Sequence, residues 1–122
     1  MGKKDLAIFG AGGHGQVCLD VIRATGKYRV IGYFAPEESV RPAFKHLPFL
    51  GEDERFFDAA DRSIFCFIAV GQLTSSDVRQ NLYDRLLGMG CQLPSIVSPN
   101  AVVSSSAQLG NGCFVNAGAI IN

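Results

Sequence analysis

The chain has no excess of charge of either sign: 11 Lys and Arg stand against 11 Asp and Glu, with a pI near 6.7. A nucleic-acid binder concentrates basic residues into a footprint, so this balance argues against one. There is also no run approaching the roughly 20 apolar residues of a membrane span. The start, Met1-Gly2-Lys3-Lys4-Asp5, runs into a short apolar stretch without the hydrophobic region or cleavage site of a signal peptide. Cytoplasmic localisation is the resulting expectation.

Cysteine is sparse and dispersed. The two closest of Cys18, Cys66, Cys91 and Cys113 are 22 positions apart, so no Cys-x-x-Cys pair or Cys/His cluster is available to hold zinc, and no metal is expected. Each cysteine falls among apolar neighbours, where a reduced thiol serves as a small core residue. Histidine occurs only at His14 and His46, and the latter, beside Pro48, reads as exposed. There is no G-x-S-x-G elbow and no acid pair forced onto one helix face, so no residue is expected to be catalytic. Glu52-Asp53-Glu54 reads as the favourable first turn of a helix.

What is present is glycine, 14 residues in 122, and 48% hydrophobic residues. That length suits one domain, or one domain with part of another, burying roughly two-thirds of its extended surface. Leu6 to Phe9 is an apolar run ending on Gly10, followed by Val17, Cys18, Val21 and Ile22 at helical spacing. Gly26 is placed to cap that helix, and Tyr28 to Phe34 supplies a strand. Pro36, Pro42 and Pro48 mark an irregular connection. Asp53 to Ala60 predicts a short helix, and Ile64 to Val70 a strand. Thr74-Ser75-Ser76-Asp77 offers N-cap oxygens to a helix striped by Val78, Leu82 and Leu86, with Tyr83 and Leu87 alongside and Gly90 closing it. A last short strand is expected through Leu93 and Ile96. Strands apolar on both faces and separated by helices predict an α/β fold, a small Rossmann-like parallel sheet with flanking helices.

From Val97 onward the period changes to six. Aliphatic residues stand at Val97, Val103, Leu109, Val115 and Ile121, and small residues at Ala101, Ala107, Cys113 and Ala119. A period of six fits neither a helix nor an alternating strand, but suits a coil of three short flat faces, the signature of a hexapeptide β-helix. The expected organisation is an α/β unit over residues 1–92 and the first turns of a β-helix over residues 93–122.

The segment Gly10-Ala11-Gly12-Gly13-His14-Gly15 matches G-x-G-x-x-G, directly after the first strand and at the start of the first helix. Gly10 permits the turn, Gly12 and Gly13 let backbone approach a phosphate, and the helix N-terminus offers unpaired N–H groups. A diphosphate fits there, although glycine turns also serve only to bring strand and helix together. The dinucleotide fingerprint wants an acidic residue at the tip of the second strand. Here Phe34-Ala35-Pro36 stands there, and Glu37 follows only after the proline, which counts against NAD, although Glu37 in that displaced position can still reach a ribose hydroxyl. His14 has two readings: a donor to a phosphate or sugar, or a surface or capping histidine. Ala69-Val70-Gly71-Gln72 reaches the same carboxyl edge, where Gln72 either reads a base or sugar or is simply loop polarity.

The glycine loop, the α/β unit, Phe49-Leu50-Gly51, Ala69-Val70-Gly71 and the hexads beginning Ser98-Pro99-Asn100-Ala101-Val102-Val103 together resemble a known family. It is the bacterial nucleotide-sugar acetyltransferases of the sialic acid O-acetyltransferase and UDP-amino-sugar N-acetyltransferase (NeuD/PglD-like) type. The resemblance implies an N-terminal domain that binds a UDP- or GDP-linked sugar. It also implies a left-handed β-helix that trimerises and binds acetyl-CoA between subunits, and a histidine on a later coil as general base. The chain departs from the family in having Ala35 and Pro36 where acidic residues commonly follow the second strand, and in ending at Asn122, before the coils that carry the histidine and the acetyl-CoA groove. The chain alone is expected to bind the nucleotide sugar through Gly10, Ala11, Gly12, Gly13, His14, Gly15, Phe34, Glu37, Gly71 and Gln72, and not to catalyse. Two competing expectations are an NAD(P)-binding oxidoreductase or regulatory module, and an assembly module built on the open end of the solenoid.

Overall fold

A computed structural model describes residues 2–59, 61–71 and 76–122. Four parallel strands form the central sheet: β1 (Lys4–Phe9), β2 (Tyr28–Phe34), β3 (Phe49–Gly51) and β4 (Phe65–Ile68), in the order β3-β2-β1-β4. Helix α1 (Gly13–Thr25) joins β1 to β2, α2 (Asp53–Ala59) joins β3 to β4, and α3 (Ser76–Gly88) follows β4. Strand β2 has the bounds the apolar pattern predicts. Strand β3 is shorter than any run that periodicity singles out, and a 3-10 turn at Pro42–Phe44 precedes it. Expected helix residue Ala60 and the expected caps Thr74 and Ser75 lie outside the described residues.

Alternation along the strands sends neighbouring residues to opposite faces. Leu6 and Ile8 pack with Cys18, Leu19 and Ile22 of α1, whereas Ala7 and Phe9 pack with Phe56 of α2 and Leu82 and Leu86 of α3. Both faces are covered, which is why the buried stretches of the strands, such as Leu6 to Phe9 and Cys66 to Ile68, are apolar without alternation. The helical stripes are narrower than expected: Val17 and Val78 are 41% and 50% exposed. Helix α1 ends as its glycine predicts, with Gly26 at φ +67° and its N–H on the Arg23 carbonyl.

The expected strand through Leu93 begins only at Ile96. Leu93 packs in the core beside α3 and Ile96 in the core beside α1. The chain thus passes around the β4 edge between them, and a segment changing faces cannot stay extended in one ladder. The Cys66 N–H donates to the Gln92 carbonyl at 3.0 Å along this passage.

Beyond it lie four two-residue strands: β5 (Ile96–Val97), β6 (Val102–Val103), β7 (Phe114–Val115) and β8 (Ile120–Ile121). They pair in parallel as Val97 with Val115 and Val103 with Ile121. Partners are 18 positions apart, three hexads, so one circuit of the chain stacks on the next. Val115 is buried and Val97, Val103 and Ile121 are half-buried, while Val102 and Ile120 on the other side are 63% and 67% exposed. Leu109 departs from the expectation and is 39% exposed in an irregular stretch. The position 18 before it is Cys91, where the chain has just left α3 and offers no strand to pair with.

Candidate functional site

The order β3-β2-β1-β4 places the reversal of strand order between β1 and β4, since the chain moves outward to β3 on one side and then crosses to β4 on the other. In such sheets the crevice beyond the carboxyl ends at the reversal is the natural ligand position. The glycine loop and Ala69–Gly71 both end there. A cleft of about 1160 Å³ occupies this place.

The loop's glycines divide by what surrounds them. Gly10 has φ +110°, and a Cβ on it would meet the Ala69 carbonyl oxygen at 2.8 Å. A Cβ on Gly15 would meet the Gly10 carbonyl oxygen at 2.7 Å, so this residue presses α1 against the strand end. Gly12 has nothing within 4 Å of such an atom, and Gly13 has only the Arg41 guanidinium, 3.5 Å away at its nearest. The fold therefore demands Gly10 and Gly15 and leaves the outer side of Gly12 and Gly13 bare.

Helix α1 starts at Gly13 with Gly12 as N-cap, without a side-chain cap and without an acidic residue in its first turn. Its first backbone bond runs from the Gln16 N–H to the Gly12 carbonyl at 3.0 Å. The N–H groups of Gly13, His14 and Gly15 have no acceptor inside the helix and sit at the positive end of its dipole.

Arg41 adds a full charge beside these donors, on a loop that is fastened in place. The Ser39 hydroxyl donates to the Ala11 carbonyl at 2.9 Å and accepts from the Arg41 N–H at 3.2 Å. The Ser39 N–H donates to the Tyr33 hydroxyl at 2.9 Å. Tyr33 itself is 1% exposed, edge-on to Phe44 and tilted against Phe49. Residues 35–41 are thereby clamped against the glycine loop.

Of the expected site residues, Gly10, Gly12, Gly13, His14, Phe34 and Gly71 line the cleft. Ala11 stands behind it as the acceptor of the Ser39 hydroxyl, and Gly15 is buried in the strand-helix contact. Glu37 is exposed and outside the lining, and Gln72 lies outside the described residues. Arg41, Asp53, Arg79 and Phe114 line the cleft without having been expected there. Asp53 was legible only as the first turn of a helix, which it also is.

His14 neither caps the helix nor lies free on the surface. Its Nε2 is 3.5 Å from Cys18 Sγ, one turn on, and its ring stands edge-on to Phe114 of β7 at 5.8 Å. Burial pushes the Cys18 thiol up to about 12, against the opposing pull of the Arg79 cation. Either partner of this contact can donate, the thiol through S–H or the imidazole through Nε2–H, according to the imidazole tautomer. Asp53 is half-buried; burial raises its pKa first of all, Arg85 lowers it, and Glu54 and Glu52 raise it further. Among the described residues, no group of three or more His, Cys, Asp or Glu is placed to hold a metal ion, and no helix is long and apolar enough to cross a membrane.

A parallel Rossmann-like sheet with a glycine loop and a cleft at its strand-order reversal defines the class of protein. The chain belongs to the PglD N-terminal domain family, which matches residues 5–86. Among solved structures it is similar to the acetyltransferase domain of PglB from Neisseria gonorrhoeae FA1090 in complex with acetyl coenzyme A. The identity is 28% over 98% of this chain and 56% of that one, with a TM-score of 0.81. It is also similar to PerB from Caulobacter crescentus in complex with CoA and GDP-perosamine, at 31% identity over 97% of this chain and 54% of that one, with a TM-score of 0.79. The chain thus spans little more than half the length of these structures. No curated protein matches it.

Proposed function

We propose that this chain binds the nucleotide part of a UDP- or GDP-linked sugar, as the N-terminal portion of an acetyltransferase acting on an amine or hydroxyl of that sugar. The observation that carries this reading is the bare outer side of Gly12 and Gly13, under a clamped arginine and at the start of an uncapped helix. Nothing in the packing of this chain requires those two residues to be glycine, whereas a diphosphate approaching the backbone does. The N–H groups of the first turn and the Arg41 guanidinium supply the charge-assisted hydrogen bonds that an anion of this shape needs.

The order of elements along the sheet edge then assigns directions. With the diphosphate over the end of β1, the nucleoside extends over β2 and β3, and the sugar extends toward Gly71, His14 and Phe114. Family membership and the CoA-bound structural relatives support the wider reading. In it, residues 1–92 form the nucleotide-sugar domain and residues 93–122 begin a left-handed β-helix that assembles as a trimer in the cytoplasm. Acetyl-CoA is its co-substrate. No residue of this chain is assigned to acetyl-CoA or to proton removal from the acceptor; among the described residues the one histidine in the cleft wall is His14, whose Nε2 is engaged by Cys18. In this reading the chain alone binds the nucleotide sugar, and catalysis belongs to the longer protein.

Thermal unfolding tests the reading directly. UDP- or GDP-linked sugars, or the free nucleotides, are expected to raise the melting temperature in proportion to the logarithm of their concentration, and acetyl-CoA is not. Absence of any shift with both UDP and GDP at millimolar concentration overturns it.

A further inference from the structure

Among the described residues Asp53 is the one acidic side chain in the cleft wall, and its place in the topology sets its distance from the phosphate position. The glycine loop follows β1, and Asp53 follows β3, two strands away in the same parallel sheet. Two interstrand spacings amount to about 10 Å. That is the reach from the phosphate of a nucleotide, across its ribose, to the far edge of its base. Between the two stand Phe34, Ala35 and Pro36 at the tip of β2, an apolar floor without a side-chain hydrogen-bonding group.

The neighbouring acids do not share this position. The Glu54 carboxylate is held by both terminal nitrogens of Arg85, at 2.7 and 3.1 Å, and Glu52 is exposed outside the cleft lining. Among the described residues no hydrogen bond engages the Asp53 side chain, which lines the cleft with its acceptors uncommitted.

Resting on the nucleotide-binding reading above, we infer that Asp53 reads the base and selects guanine. A carboxylate offers two parallel acceptors and no donor. Guanine presents two adjacent donors, N1–H and the 2-amino group, which match it as a bidentate pair. Uracil presents a single N3–H flanked by two carbonyl oxygens that a carboxylate repels. Hypoxanthine keeps N1–H but lacks the 2-amino group.

Isothermal titration of the full chain with GDP, IDP and UDP tests this. GDP is expected to bind about tenfold or more tightly than IDP or UDP. Asp53→Asn is expected to remove that preference by weakening GDP binding about tenfold while UDP binding holds or tightens, since the amide no longer repels the uracil carbonyls. Glu54→Gln serves as the control that keeps the preference. The comparison of GDP with IDP needs no variant, so it stands even if Asp53→Asn folds poorly. Equal binding of the three nucleotides, or unchanged GDP affinity in Asp53→Asn, overturns the base assignment and leaves the nucleotide site intact. Failure of all three to bind the unaltered chain overturns both readings.

Discussion

Within the glycine loop, neighbouring residues of one type have different reasons to be there. Gly10→Ala places a side chain at φ +110° against the Ala69 carbonyl, and backbone strain alone costs about 1–3 kcal/mol. Chemical denaturation is expected to show that loss with or without ligand. Gly12→Val enters open space in an extended N-cap conformation, so stability is expected to fall only by the loss of a favourable cap residue, about 1 kcal/mol. Nucleotide binding, read by titration, is expected to vanish. Unchanged affinity in Gly12→Val would show that the loop only joins strand to helix. The spacing of the motif locates the loop, but it does not separate these roles. They depend on what lies across from each Cα, and Ala69 and Arg41 are brought there only by folding.

The connection between β2 and β3 shows why part of the cleft could not be read in advance. Its three prolines announce an irregular path without saying where it goes. The path is set by Ser39, whose hydroxyl and N–H bond to partners 28 and 6 positions away in the chain. Such pairings leave no periodicity, so Arg41 carried no signal beyond being one basic residue among many. Asp53 was hidden for another reason: a carboxylate in a first helical turn already has a sufficient local explanation. The strands and helices were legible because burial on both sheet faces writes itself into apolar runs. Ser39→Ala removes the bonds to Ala11 and Arg41 and is expected to cost about 1 kcal/mol of stability. It is also expected to weaken nucleotide binding several-fold by freeing the arginine. Equal affinity in Ser39→Ala would mean that Arg41 does not need this clamp.

At the scale of the whole molecule, the change of period near Val97 is not a break in the core. Ile96, 1% exposed, packs with Leu19, Ile22 and Phe67, and Phe114 from the next circuit reaches His14. Ile96→Ala is expected to destabilise the α/β unit and the coil together by about 2–5 kcal/mol, in one unfolding transition. Two separate transitions would show that the coil is an independent unit. The passage of residues 92–96 around the sheet has a further consequence. A four-residue strand at the end of a parallel sheet would ordinarily present a row of unpaired backbone groups on which a second molecule can add its own strand. With the Gln92 carbonyl accepting from Cys66 and the chain drawn across from one face to the other, that margin is occupied by the protein itself. Sheet-to-sheet association is thereby discouraged at β4, and the other margin, β3, is only three residues long.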